Sequence, residues 1–236
     1  MSTMLLVVLA VSGALIVGAA WGVFGPLHER TEGFLVALAG GALLLSVVTE
    51  LIEPSMEKSS LIVTIAGVLA GAGAFTAADY WIDEKWGPES GGGLLAAITL
   101  DGVPENLALG VALIGAGSNE VAALAGSILL SNLPEAAGGA RRMVDAGGSK
   151  WKVIGLWAAT AGLLAVAAIA GNLLLEGVSE HLLAFIRCLA AGAVVASLAT
   201  EVFPGAYKQD RHMAGLATAA GLLFALALGT LAGSAG

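Results

Sequence analysis

Asp101 and Glu105 lie four residues apart in LDGVPENLALG, Leu100–Gly110, with Pro104 beside the glutamate, and Glu135 follows a second proline in LSNLPEAAGG, Leu130–Gly139. A spacing of four sets Asp101 and Glu105 on one face of a helix, within reach of a shared ligand. Each proline deletes a helical hydrogen bond and displaces the carbonyl four residues earlier, those of Leu100 and Leu130. With the Ser131 hydroxyl and the Asn132 amide, these groups form an oxygen-rich, negatively charged set that suits a cation held between two broken helices. Proline kinks and Ser or Asn contacts also serve plain helix packing. The three carboxylates resist that reading. They stand in apolar runs where each costs about 2.5–3.5 kcal/mol to insert into a bilayer, and Arg187 is the one base near the interior of such a run.

The chain that positions these acids has 236 residues, 58% of them hydrophobic and 12% charged, and its mean hydropathy is +0.91. A soluble domain carries roughly a quarter charged residues, so the composition indicates a polytopic, all-α membrane protein whose surroundings are the lipid bilayer. Runs of about 20 apolar residues, enough to cross a hydrocarbon core, mark eight transmembrane helices near residues 3–25, 34–52, 61–82, 94–115, 120–140, 152–175, 182–203 and 212–234. The connections are short, leaving one integral membrane domain, 1–236. No base precedes the first run, and the run is longer than the core of a signal peptide, so it is read as a mature helix. Arg30, Lys85, Arg141, Arg142, Lys150, Lys152, Lys208 and Arg211 fall at odd-numbered loops, and only Lys58 and Arg187 fall at even ones. Basic residues stay cytoplasmic, which places both termini outside the cytoplasm, with the plasma (inner) membrane as the expected residence. The net charge of −8 comes partly from acids within the spans and offers no footprint for nucleic acid. Cys188 has no partner for a disulfide.

An internal repeat runs through the chain. LAGGALLLSVVTELIEP from Leu38 matches LAAGAVVASLATEVFPG from Leu189, with Gly41/Gly192, Ser46/Ser197, Thr49/Thr200 and Glu50/Glu201 in register. Five spans separate the copies, so they run in opposite directions. Spans 1–3 and 6–8 are then an inverted repeat around the two proline-glutamate helices, a pattern found in secondary transporters.

These residues together resemble the ZIP (Zrt/Irt-like) divalent metal transporters, whose fourth span carries HNxPEG and whose fifth carries a related PE motif. The resemblance extends to span 7, where TEVFP, Thr200–Pro204, is similar to the family's ExxP segment, and less closely to TELIEP in span 2. It implies an eight-helix bundle that moves a divalent cation by alternating access, with spans 1, 4, 5 and 6 shifting against spans 2, 3, 7 and 8, and a homodimer as one possible assembly. By motif position, Asp101 replaces the family's histidine, Gly102 its asparagine, and Glu105 keeps its glutamate. Ser131 and Asn132 stand where the family has His or Gln and an acid, and Glu135 keeps its glutamate. Span 6 offers only Thr160 and Asn172 where a glutamate is usual, so the resemblance implies one metal site where the family has two.

The transported cation is expected at Asp101, Glu105 and Glu135, with Ser131 and Asn132 as helpers, and Glu50, Thr160, Asn172, Thr200 and Glu201 are candidates along its path. His28, His181 and His212 all fall at span ends or loops. Without imidazole or thiolate at mid-membrane, the site favours hard ions such as Mn²⁺, Mg²⁺ or Ca²⁺, with Fe²⁺ and Zn²⁺ still able to bind carboxylates. The cation is cargo; no resident cofactor and no enzyme activity are expected. Two rival readings are a family member that binds metal or serves structurally without transport, and an intramembrane aspartyl protease. The second needs another aspartate at the depth of Asp101.

Overall fold

A computed structural model describes residues 2–86, 91–114 and 121–233, and those residues form helices and short turns with no strand among them. The helices are α1 (Ser2–Phe24), α2 (Glu29–Val47), α3 (Glu53–Lys58), α4 (Leu61–Trp86), α5 (Gly91–Ala112), α6 (Ala122–Asp145), α7 (Lys150–Leu175), α8 (Glu180–Ser197), α9 (Phe203–Gln209) and α10 (Ala214–Gly233). Because α2 runs on into α3 and α8 into α9, the described chain makes eight rods. Six of them are long and apolar enough to cross a membrane: Met4–Phe24, Glu29–Lys58, Leu61–Lys85, Lys150–Leu175, Glu180–Gln209 and Ala214–Leu231. The other two, α5 and α6, carry the acids and prolines. The outer surface is apolar, with Leu6, Ile62, Leu69, Leu174 and Leu216 all exposed, as a bilayer-facing surface requires.

Several rods overrun the apolar windows. The second, expected over 34–52, extends over Glu29–Lys58, and α6, expected over 120–140, continues to Asp145. Hydropathy marks the hydrocarbon width, whereas backbone hydrogen bonding continues through the flanking charged residues. The turns after α6 and α7 are closed by Gly147 (φ 93) and Gly177 (φ 83), positive values at which other residues would be strained.

The helices expected to break do not. α5 and α6 continue as α-helix through Pro104 and Pro134. The irregular turns fall instead in the second and seventh rods, where Val48–Ile52 and Leu198–Val202 are single π-turns. Pro54 and Pro204 have no N–H to offer the carbonyls of Glu50 and Thr200. The ladder widens just before them, with the N–H of Glu53 donating to the Val48 carbonyl and that of Phe203 to Leu198. Such turns recur at functional sites, and here they contain Glu50 and Glu201.

Packing sorts the rods into two groups. α1 packs on α6 and α7, and α5 on α7; in the other group α2 packs on α10 and α9, and α4 on α8. Within each group glycines bring backbones into direct contact. A Cβ on Gly18 would fall on the Leu133 carbonyl, on Gly110 on that of Ala168, on Gly41 on that of Thr218, and on Gly71 on that of Leu189. Between the groups the glycines of α6 meet side chains instead, Gly126 facing Leu228 and Gly138 facing Glu32. Chain ends also sort. The C-terminal ends of α1, α6 and α9 meet the N-terminal ends of α2 and α7 through Arg142–Glu32, Gln209–Glu32 and Phe24–Trp151 contacts. Most of the bases lie at this basic end, while Lys58 pairs with Glu180 at the opposite one, 3.6 Å apart.

Gly41→Ala and Gly71→Ala should each destabilise the fold by about 1–3 kcal/mol through overpacking. Gly73→Ala, which meets nothing within 4 Å, should be neutral or slightly stabilising. Thermal unfolding in detergent, followed by size-exclusion fluorescence, separates the two outcomes.

Candidate cation site between the two helix groups

Asp101, Glu105 and Glu135 line one small cavity, together with Leu43 of α2, Val194 and Ser197 of α8, and Leu198 and Val202 of the π-turn that follows. Its volume, about 20 Å³ of space open to the centre of a water-sized particle, is enough for one water or one largely dehydrated ion. Two of the acids come from α5 at helical spacing and the third from α6, so the site lies where the two proline-bearing helices face the other group. The described lining residues include no basic side chain.

The carboxylates are incompletely partnered. Asp101 Oδ1, Glu105 Oε1 and Glu201 Oε1 are buried without a hydrogen-bond partner among the described residues, and Glu105 is only 7% exposed. Asp101 shares the lining with Ser197 and lies near Glu201, and Ser131 lies near Glu105. Buried acceptors without donors are costly, and a cation is the natural partner for several at once. At the same time, no three Asp, Glu, His or Cys side chains among the described residues are gathered closely enough to hold one ion. The acids face a common space without converging on one point in it. The space offers an ion one or two carboxylates, with Ser197 beside them, and hard cations accept water for the rest of their shell.

The remaining candidates spread through the bundle. Ser131 is buried and donates to the Ile128 carbonyl at 3.1 Å. Asn132 is turned away from the cavity, its amide donating to the Val11 carbonyl of α1 at 3.0 Å. Thr160 is buried in α7 and is not among the lining residues. Asn172 donates to the Gly110 carbonyl at 3.0 Å, tying α7 to α5. Thr200 bonds back to Ala196 at 3.1 Å. Glu50 sits in its π-turn, outside the lining. Glu201 is well placed, reaching Asp101 on one side and Asp79 of α4 on the other. At Gly102, where the resemblance put an asparagine, the space a Cβ would take is filled by Leu164 of α7.

Three residues gained roles that spacing did not assign. Ser197 appears in the sequence only as the repeat partner of Ser46; the structure sets it beside Asp101, while Ser46 bonds Ser127 of α6 at 2.9 Å. Asp79 reads as a span end, and packing α4 against α8 brings it to Glu201. Arg142 reads as a loop base, yet it is near enough to act electrostatically on Glu135. The acids are therefore less isolated than the sequence suggests, whereas Arg187 turns to the Val111 carbonyl at the end of α5, 3.3 Å away. A scan of protein-family models and a search of curated proteins found no match to this chain.

Asn132→Ala should lower stability by about 1 kcal/mol through loss of the α6–α1 hydrogen bond while leaving cation binding at the cavity unchanged. Unfolding and isothermal titration with Mn²⁺ on the same preparation check both halves.

Proposed function

We propose that this protein is a divalent-cation transporter of the ZIP type, with eight transmembrane helices and both termini outside the cytoplasm, resident in the plasma (inner) membrane. The cation passes through the cavity between α5, α6 and α8 by alternating access. The observation that carries this reading is the cavity itself, an ion-sized space among apolar helices, faced by Asp101, Glu105 and Glu135, with one acceptor oxygen of Asp101 and one of Glu105 buried and unpartnered. Intramembrane carboxylates without a structural partner mark ion pathways.

An inverted repeat is supported by the packing. Gly41 and Gly221 meet the backbones of Thr218 and Leu38 across α2 and α10, and Gly192 and Gly71 meet those of Val68 and Leu189 across α8 and α4. The repeated segments each end in a π-turn followed by a proline. The six rods that pass on length and composition, plus α5 and α6 lying among them, support eight crossings; the first, fifth and seventh connections, gathered at the basic end, support the orientation. The filling of the Gly102 position by Leu164 supports a single metal position rather than two. The all-oxygen lining favours Mn²⁺, Mg²⁺ or Ca²⁺ over ions that seek nitrogen or sulfur, and a homodimer belongs to this reading through the family resemblance.

A second reading is a protein that binds the cation without passing it on. It is favoured by the scattered carboxylates and by an apolar cluster beyond the cavity, where Val47, Leu109, Leu113, Val121 and Ile128 are buried together.

In proteoliposomes, Asp101→Asn, Glu105→Gln and Glu135→Gln should each lower Mn²⁺ uptake at least about tenfold, a barrier change of roughly 1.4 kcal/mol, with Cys188→Ser unchanged. Undiminished uptake in all three acid variants would sink the assignment. Mn²⁺ binding without uptake by the parent protein would select the second reading, and competition by Fe²⁺, Zn²⁺ and Mg²⁺ ranks the substrates.

A further inference from the structure

At the basic end, one charged cluster joins the two helix groups. Glu32, in the first turn of α2, is buried, and its carboxylate lies against the backbone of α6 at Gly138, where a Cβ would fall on Glu32 Oε1. That oxygen accepts from Arg142 Nη1 of α6 at 2.7 Å and from Gln209 Nε2 of α9 at 2.8 Å. One carboxylate thus ties the end of α6 to the ends of α2 and α9. Elsewhere, the two groups are held internally by backbone-to-backbone approaches, whereas α6 meets α2 and α10 through side chains at Gly138 and Gly126. An interface of side chains slides more readily than one of interlocked backbones, so a charge pair with donors from both sides is where such sliding would be checked.

The cluster is also linked to the cavity. Arg142 lies seven residues beyond Glu135 on the same helix, so any shift of α6 moves the acid and the base together. Between the cavity and the end opposite the bases, the apolar cluster around Leu109 and Ile128 fills the space. Toward the basic end stand Glu201 and Asp79, both only partly buried. The polar side of the cavity is therefore the basic end, and the apolar side the opposite one.

We propose that Glu32, Arg142 and Gln209 form a conformational clasp that holds the acid cavity open to the basic end, and that the clasp must part for access to pass to the opposite face. This rests on the transport reading, but its test needs no flux. Arg142 is here a positioning residue, restrained by Glu32 so that α6 sits where Glu135 faces the cavity.

The test uses the full chain in a Cys188→Ser background, carrying either Val202→Cys or Val194→Cys, in membrane vesicles of each orientation treated with a membrane-impermeant maleimide. With the clasp intact, Val202→Cys should label from the basic end and Val194→Cys should stay unlabelled from the other face. Glu32→Gln and Arg142→Gln should each lower Val202→Cys labelling at least about fivefold and open Val194→Cys to the opposite face. The exchange Glu32→Arg with Arg142→Glu should restore the original pattern, which loss of mere packing would not. If the charge variants fail to fold, Gln209→Ala, which removes one donor and no charge, should give a shift of about twofold in the same direction. An unchanged labelling pattern in the folded variants overturns the clasp, as does a shift that the exchange fails to reverse. Mn²⁺ uptake by the parent vesicles is scored separately. Uptake with unchanged labelling sinks the clasp alone, and a labelling shift without uptake sinks the transport reading alone.

Discussion

Direct contact between helix backbones, permitted by glycine, is the constraint on which this molecule depends. In lipid the hydrophobic effect gives helices little reason to associate, and close packing of small residues takes over. Here the carbonyls of Leu133, Ala168, Thr218 and Leu189 each occupy the place a side chain would take on a neighbouring helix. All four contacts fall inside one or other helix group. The result is helix pairs locked backbone to backbone inside each group, with the two groups joined through side chains. The acids of α5 and α6 belong to one body, and the residues that close the cavity over them, Leu43, Val194, Ser197 and Leu198, belong to the other.

That division explains why the polar groups are distributed as they are. Asn132 and Asn172 spend their amides inside a group, bracing α6 to α1 and α7 to α5. Asp101, Glu105 and Glu135 instead face the boundary, where their surroundings depend on how the bodies sit. A carboxylate without a fixed donor is expensive inside a rigid core. At a boundary that admits an ion or water its cost depends on occupancy. Ser46 with Ser127 and Ser197 with Asp101 mark two further places where the bodies touch through polar side chains.

The π-turns belong to the same logic. Pro54 and Pro204 release the Glu50 and Thr200 carbonyls, and the widened turns before them carry Glu50 and Glu201 on otherwise apolar rods. Pro104 and Pro134, by contrast, sit in helices that stay α-helical. Proline marks a missing hydrogen bond; it does not by itself say whether the helix opens there.

Much of the molecule was legible in the residues alone. Apolar run length determined the helical class and the approximate rods, and the unusual pairing of acid with proline pointed to Asp101, Glu105 and Glu135. Repeat matching aligned the segments that carry Glu50 and Glu201, while the π-turns within them came only with the structure. These features are local, set by hydropathy, spacing and the absence of a donor on proline. What only the tertiary structure decided is where each polar group points. It turned Asn132 to α1 and Asn172 to α5, filled the Gly102 position with Leu164, and drew in Ser197, Asp79 and Arg142 from segments with no motif of their own. Side-chain direction depends on which helices touch, and that follows from long-range backbone contacts at glycines far apart in the chain.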